Sequence, residues 1–290
     1  MKILMTGATG FLGSNLLHRL VEDGHAVTIL IRQSSRLSRI ASILDRVSVH
    51  RVGIDQDVFI SHNIETIIHC ATNYGRGSVD FAELLDANLL LPLQLLQNGC
   101  RAGVRCFINT DTILDKGVND YSLSKSQFWE WFCKYSHKMV CINVALEHFY
   151  GPQDDPTKFV SFIVDQLLKD VDRISLTPGE QKRDFIYIDD VVEAFLLILS
   201  KSATMKSGYL DYEIGTGQTV SIREFVKLIK RLAGNTQTLL DFGVLPYREN
   251  EAMETHVNAT AIRALCWQPM ISLSDGLSKM IALEREARSG

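Results

Sequence analysis

The sequence predicts an α/β protein built on a doubly wound parallel sheet, with a smaller C-terminal lobe. Short apolar runs alternate with helix-periodic segments from Ile3 to Leu146, and a glycine-spaced turn separates the first run from the first helix. Such alternation marks βαβ units and hence a parallel sheet. After Tyr150-Gly151-Pro152 the alternation loosens into a proline-bearing loop and shorter runs, which sets off the second lobe.

Ile3–Met5 is the first strand, and Phe11–Val21 carries apolar residues at helical spacing. The β-branched run Ala26–Ile31 is the second strand, Val47–Val52 the third and Thr66–Ala71 the fourth. A long helix is expected over Phe81–Asn98, then a strand over Arg105–Asn109, a helix over Ser122–Tyr135 and a strand over Met139–Leu146. Further on, the pattern gives helices over Lys158–Lys169, Val191–Leu199 and Ile222–Leu232, with strand-like runs at Arg173–Leu176 and Asp184–Ile188.

Hydrophobic residues make up 46% and charged residues 22% of the 290, with a net charge of -4. This is a globular composition, and without a basic excess it offers no electrostatic case for nucleic acid or a membrane surface. The longest apolar run, Ala194–Leu199, is far shorter than a bilayer span, and Thr6–Gly10 interrupts any leader-like core, so a cytoplasmic location is expected. The six cysteines show no CxxC pair and no histidine-rich spacing, which points to reduced thiols and no metal.

The run Thr6-Gly7-Ala8-Thr9-Gly10-Phe11-Leu12-Gly13 follows a strand and opens a helix. Gly7 permits a tight turn, Gly10 lets the backbone approach a pyrophosphate, and Gly13 lets the helix pack on the strand. The helix N-terminus offers free N–H groups to the anion. Gly7, Thr9, Gly10, Phe11, Leu12 and Gly13 are therefore candidate dinucleotide contacts; the alternative is a glycine-rich turn without a ligand. TGATGFLG resembles the signature of the extended short-chain dehydrogenase/reductases, the NAD-dependent epimerase/dehydratase family with its Rossmann sheet. The resemblance implies a dinucleotide-binding domain over 1–149, with returning segments near 184–215. It leaves 150–183 and 216–290 as a nucleotide-sugar-binding lobe.

Tyr121 and Lys125 stand four apart, on one face of a helix, so phenol and ammonium can enter one site. A nearby ammonium favours phenolate and is expected to lower the tyrosine pKa. YxxxK also occurs on solvated helices, but here it follows a strand ending Asn109-Thr110-Asp111-Thr112, and ligands bind outside the carboxyl ends of such strands. The resemblance gives the lysine the nicotinamide ribose and the tyrosine the substrate oxygen's proton. It makes Thr110 the hydroxyl that bonds that oxygen. Sugar dehydratases of the family end this stretch Thr-Asp-Glu, with the glutamate as base. Thr112 stands there in this chain and cannot abstract a carbon-bound proton, which disfavours dehydration and leaves Thr112 as a substrate contact. Ten residues separate Thr110 from Tyr121, shorter than the family's interval. Ile67–Ala71 resembles the strand end that lies along the dinucleotide, which adds Cys70, Ala71 and Thr72 to the cofactor contacts. Asn88 matches an asparagine that supports the site, and Asp55 falls where an adenine contact is expected. His69 as a metal ligand lacks partner ligands.

LEHFYGP at Leu146–Pro152 and GEQKRDFIYIDDV at Gly179–Val191 resemble the YGP turn and the RDF(I/V)xVxD segment of nucleotide-sugar enzymes. There the arginine meets the substrate diphosphate, a role that suits a planar bidentate donor and falls to Arg183. Arg248, in LPYREN, resembles a second phosphate-binding arginine. The alternative for Arg183 is a salt bridge to Asp184 or Asp189. His148 stands where many relatives have asparagine and is a further substrate candidate; Ala145 stands where many have arginine. Together with YEIGTG, these runs look closest to the CDP-abequose and CDP-paratose synthases, reductases of the 4-keto group of a CDP-linked dideoxyhexulose.

An acid about 20 residues beyond the glycine loop selects NAD, and an arginine selects NADP. Arg32 follows the second strand, Arg36 and Arg39 lie beyond, and no acid precedes Asp45. NADP(H) is therefore expected over NAD(H), with Arg32 and then Arg36 as contacts. The alternative is a solvated cluster, or pairing with Asp45, and NAD. Leucines crowd Phe81–Asn98, and Phe128, Trp129, Trp131 and Phe132 crowd the helix after Tyr121, more than one buried stripe needs. A homodimer through these helices is expected, with a thick internal core as the alternative. The reading is an NADPH-dependent 4-ketoreductase of a CDP- or dTDP-linked deoxyhexulose. A 4-epimerase on tightly held NAD and a non-catalytic dinucleotide-binding protein stand as alternatives.

Overall fold

The computed structural model describes residues 1–51, 56–77, 80–248 and 251–289. Their elements begin β1 (Lys2–Thr6), α1 (Phe11–Glu22), β2 (Ala26–Ile31), β3 (Ser48–Arg51), α2 (Gln56–Ser61), β4 (Thr66–His69) and α3 (Phe81–Leu85). They continue α4 (Leu91–Ala102), β5 (Cys106–Thr112), α5 (Asp120–Tyr135), β6 (Val140–Leu146), β7 (His148–Tyr150), α6 (Phe159–Leu168), β8 (Arg173–Leu176) and β9 (Lys182–Arg183). The remainder are β10 (Phe185–Tyr187), α7 (Ile188–Ser202), β11 (Gly208–Ile214), β12 (Val220–Ser221), α8 (Ile222–Leu232), β13 (Leu239–Phe242), α9 (Thr260–Arg263) and α10 (Leu273–Ser289).

Met1–Leu146 and Val192–Glu213 form one compact unit. Its seven-stranded sheet runs β11-β6-β5-β4-β1-β2-β3, and the six strands from β6 to β3 pair in parallel. Ile3, Leu4 and Met5 are fully buried in succession, as expected for a parallel strand covered on both faces. One core layer packs Leu4, Ile67 and Phe107 of the sheet against Leu95 and Leu96 of α4 and Phe128 and Phe132 of α5. The strand order reverses between β1 and β4, and the crevice at their carboxyl ends is where such sheets bind ligands. Thr6 and His69 are register partners, which sets Gly7 beside Cys70.

The long helix expected over Phe81–Asn98 is present and runs on to Ala102, but it is not regular throughout. Between α3 and α4 the backbone forms a π-turn over Asp86–Leu90, and this turn buries Asn88 completely. Such bulges recur at functional sites.

Glu147–Val191 and Ile214–Gly290 form the second unit. Its strands pair two by two: β7 with β10, β9 with β12, and β8 with β13. Phe185 stacks on Phe225 at 3.7 Å between ring centroids at its centre. Among the described residues no helix is long and apolar enough to cross a membrane.

Candidate active site

The glycine loop is shaped by contact on one side and openness on the other. Gly7 has φ +71°, and a Cβ there would lie 2.4 Å from Ala71 N. A Cβ on Gly13 would lie 2.0 Å from the Gly7 carbonyl oxygen, so α1 is seated directly on the turn. A Cβ on Gly10 would meet only the Gly7 oxygen, at 3.3 Å. No side chain caps α1, and its first turn carries no acid. An uncapped helix N-terminus behind an open glycine fits a pyrophosphate, so these residues suit a dinucleotide.

Beyond β2, Arg32 and Arg36 are exposed. Arg39, in a 3-10 turn over Ser38–Arg46, donates from Nη1 to the Thr9 carbonyl at 3.5 Å, so this third arginine is the one that reaches the glycine loop. Asp55 lies outside the described residues.

At the end of β5 the structure gathers Thr110, Thr112, Tyr121, Lys125, Cys70 and Thr72. Lys125 is 2% exposed, and its Nζ donates to the Thr110 carbonyl oxygen at 2.5 Å. The Thr110 hydroxyl donates to Cys70 Sγ at 3.3 Å. The hydroxyls of Thr112 and Thr72 lie close enough to the Tyr121 phenol to favour its anion. Its ring lies against Tyr74, with centroids 5.3 Å apart. Tyr74, Phe81, Leu84, Asn119, Asp120 and Tyr121 line a cavity of about 160 Å³.

The expected lowering of the tyrosine pKa by Lys125 is not what the structure gives. Burial pushes the Tyr121 phenol far above its ordinary value, the Tyr74 ring and the Asp111 carboxylate add to this, and the two threonine hydroxyls oppose it. The physical reason is desolvation, which penalises the phenolate; the Lys125 ammonium makes its hydrogen bond to the Thr110 carbonyl. Burial pulls Lys125 down, opposed by Asp111 and Cys70, and pushes the Cys70 thiol up to about 11.

Asn88 joins this group through all four of its hydrogen-bonding positions. It accepts from the Asn73 amide at 2.8 Å and from the Thr72 hydroxyl at 3.2 Å, and it donates to the Asn73 carbonyl at 2.8 Å and to Ser124 Oγ at 3.0 Å. Sequence reasoning missed Ser124, Tyr74 and Asp111, because a serine on a helix, a tyrosine in a loop and an aspartate in a strand end carry no spacing signal. His69 is fully buried against Thr6 Oγ1 at 2.7 Å, with its pKa held well below the usual imidazole value by burial and by Lys125. Among the described residues no group of side chains could hold a metal ion.

In the second unit Arg183 is buried and does form a salt bridge, but with neither neighbour the sequence suggested. Its Nη2 lies 2.5 Å from Glu251 Oε1 and its Nη1 donates to the Lys182 carbonyl at 2.7 Å. Asp184 is turned away to accept from the amides of Thr216 and Gly217 and from the Thr216 hydroxyl, and Asp189 pairs with Lys279 at 2.7 Å. His148 Nδ1 stands 3.1 Å from Glu147 Oε1 without hydrogen-bonding to it, and that oxygen accepts from the Thr255 hydroxyl. Arg248 is exposed.

A model of the NAD dependent epimerase/dehydratase family matches residues 3–215. The protein is 34% identical to the CDP-abequose synthase of Salmonella muenchen, over 98% of each chain. It is 28% identical to a UDP-glucose 4-epimerase of Mycolicibacterium smegmatis over 98% of this chain and 99% of that one. The crystal structure of the UDP-glucose 4-epimerase of Thermotoga maritima with UDP-glucose shares the fold, with a TM-score of 0.87 at 23% identity over 99% of this chain and 100% of that one. The glycine loop, the YxxxK helix and these matches agree: the chain belongs to the NAD-dependent epimerase/dehydratase family, and it is an NAD(P)-dependent enzyme of the short-chain dehydrogenase/reductase type.

Proposed function

We propose that the protein reduces the 4-keto group of a CDP- or dTDP-linked deoxyhexulose with NADPH. The partner set of Tyr121 carries this reading. Its phenol meets the hydroxyls of Thr72 and Thr112, and the position where dehydration needs a carboxylate base holds a threonine. The phenol carries a proton that can pass to a carbonyl oxygen as the carbon takes up a hydride, which suits reduction. Similarity to a CDP-abequose synthase along nearly the whole chain supports the same chemistry.

Gly7, Thr9, Gly10, Phe11, Leu12 and Gly13 would hold the cofactor's pyrophosphate, Cys70, Ala71 and Thr72 its nicotinamide half, and Arg32, Arg36 and Arg39 the 2′-phosphate. When bound, the nicotinamide supplies the hydride. Tyr121 gives the proton to the substrate oxygen, and Thr110 turns its hydroxyl from Cys70 to that oxygen. Lys125 anchors the Thr110 backbone and bears the cofactor ribose. In the second unit Arg183 and Arg248 bind the diphosphate, with phosphate oxygens replacing Glu251 on Arg183, and His148 adds a polar contact. The exposed Phe81, Leu85 and Leu90 of the α3–α4 segment and Leu123 and Trp131 of α5 form the face of a homodimer.

The test is NADPH consumption by purified protein with CDP-, dTDP-, GDP- and UDP-linked 4-keto sugars. Turnover with a CDP- or dTDP-linked sugar is expected. Tightly held NAD and interconversion of hexose 4-epimers without NADPH consumption would instead make it an epimerase.

A further inference from the structure

β6 reads Val-Cys-Ile-Asn-Val-Ala-Leu, a single amide in an otherwise apolar and wholly buried strand. Asn143, 3% exposed, uses three of its four hydrogen-bonding positions, both of its N–H donors among them. Its Nδ2 donates to Asp111 Oδ2 and to Asp211 Oδ1, each at 3.0 Å, and its Oδ1 accepts from Asn109 Nδ2 at 2.8 Å. Two carboxylates facing one nitrogen fix the orientation of the amide. The other oxygen of Asp111 accepts the Thr112 amide at 2.8 Å, so this carboxylate is held from both sides.

Strand alternation puts Asp111 on the same face of β5 as Phe107. Phe107 packs against Phe128 and Phe132 of α5, at 6.1 and 5.1 Å, and α5 also carries Lys125. The Lys125 ammonium is buried, and its hydrogen bond runs to a neutral carbonyl. An ammonium taken out of water needs an opposite charge near it. The titratable groups that act on it are Asp111 from β5 and Cys70 and His69 from the end of β4, and Tyr121 stands one turn before it on its own helix. Burial keeps His69 neutral and Cys70 protonated, and Asp111 is the one carboxylate among them.

We infer that Asn143 is a positioning residue, which holds the Asp111 carboxylate as the counter-charge of the buried Lys125 ammonium. The inference rests on Lys125 belonging to the active site under the reading above. It explains why an apolar strand spends a position on an amide whose two N–H groups both end on carboxylates.

The test is an NMR titration of the protein with ¹³C-labelled lysine, the Lys125 signal being assigned by its loss in Lys125→Met. In both Asn143→Leu and Asp111→Asn the Lys125 midpoint is expected at lower pH than in the wild type. The alkaline limb of turnover should move the same way while the KM for the sugar nucleotide stays. An unshifted Lys125 midpoint in folded Asp111→Asn overturns the inference. This variant keeps the size of the side chain and leaves Asn143 in place, so it serves even where Asn143→Leu does not fold. The titration needs no substrate, so its outcome is independent of which sugar is reduced.

Discussion

Asn88 Nδ2 donates to Ser124 Oγ at 3.0 Å, and Ser124 donates in turn to the Tyr121 carbonyl at 2.7 Å. A π-turn in the crossover after β4 thereby fixes the first turns of the helix that carries Tyr121. Asn88→Leu would take these partners from Ser124 Oγ, the Thr72 hydroxyl and the Asn73 backbone, at about 1–3 kcal/mol for each buried group left unsatisfied. The expected outcome is a lower melting temperature together with reduced turnover. A wild-type melting curve would show that these bonds contribute nothing.

Gly10 and Gly13 separate binding from folding. Gly13→Ala drives a methyl into the Gly7 carbonyl, 2.0 Å away, and overpacking against backbone costs about 1–3 kcal/mol or more. Gly10→Ala has only the 3.3 Å approach to relieve, so it should fold and lose dinucleotide affinity. Thermal denaturation and cofactor titration of the two variants check this. Wild-type NADPH affinity in Gly10→Ala removes Gly10 from the phosphate contact.

Tyr121→Phe deletes the proposed proton donor and leaves the aromatic contact with Tyr74. General acid catalysis is worth ~10²–10⁴-fold, and turnover should fall by that order while cofactor affinity holds. Because burial and Asp111 hold the phenol protonated well past neutrality, the wild-type rate should not decline through loss of this proton between neutral and mildly alkaline pH. Turnover of Tyr121→Phe close to the wild-type rate assigns the proton to another group.

The cofactor choice divides between an arginine the sequence marks and one the structure marks. Arg32 directly follows β2, whereas Arg39 already reaches Thr9. A charge-assisted hydrogen bond is worth about 1.5–3 kcal/mol, so each contact should give roughly tenfold to a hundredfold preference for NADPH over NADH. Kinetics with both cofactors on Arg32→Asp and Arg39→Ser tell which contributes. Equal efficiency with the two cofactors in the wild type contradicts the preference itself.

The sheet was legible because period and punctuation are local. Ile3–Met5, the glycines at 7, 10 and 13, and the run from Ala26 to Ile31 declare a strand, turn, helix and strand without any knowledge of distant contacts. Tyr121 and Lys125 were legible for the same reason, since four-residue spacing on a helix is a local fact. What the sequence could not carry was partner choice across the chain. Arg183 meets Glu251 rather than its neighbours because Asp184 is already committed to Thr216 and Gly217. The phenol's raised pKa likewise depends on burial, with Tyr74 and Asp111 adding to it, and none of these is encoded in YxxxK. Asn143 left one trace, an amide in an apolar strand, whose meaning needed Asp111 and Asp211 in view.

Isotope transfer tests the proposed reaction most directly. Purified protein is given NADPH deuterated at the transferable position of nicotinamide C4 and a CDP-linked 4-keto-6-deoxyhexulose, with the dTDP-linked sugar in parallel. One deuterium at sugar C4 for each NADP formed is the predicted result. A product sugar without deuterium and an unchanged NADPH pool, from protein that interconverts 4-epimers on a cofactor of its own, would contradict it.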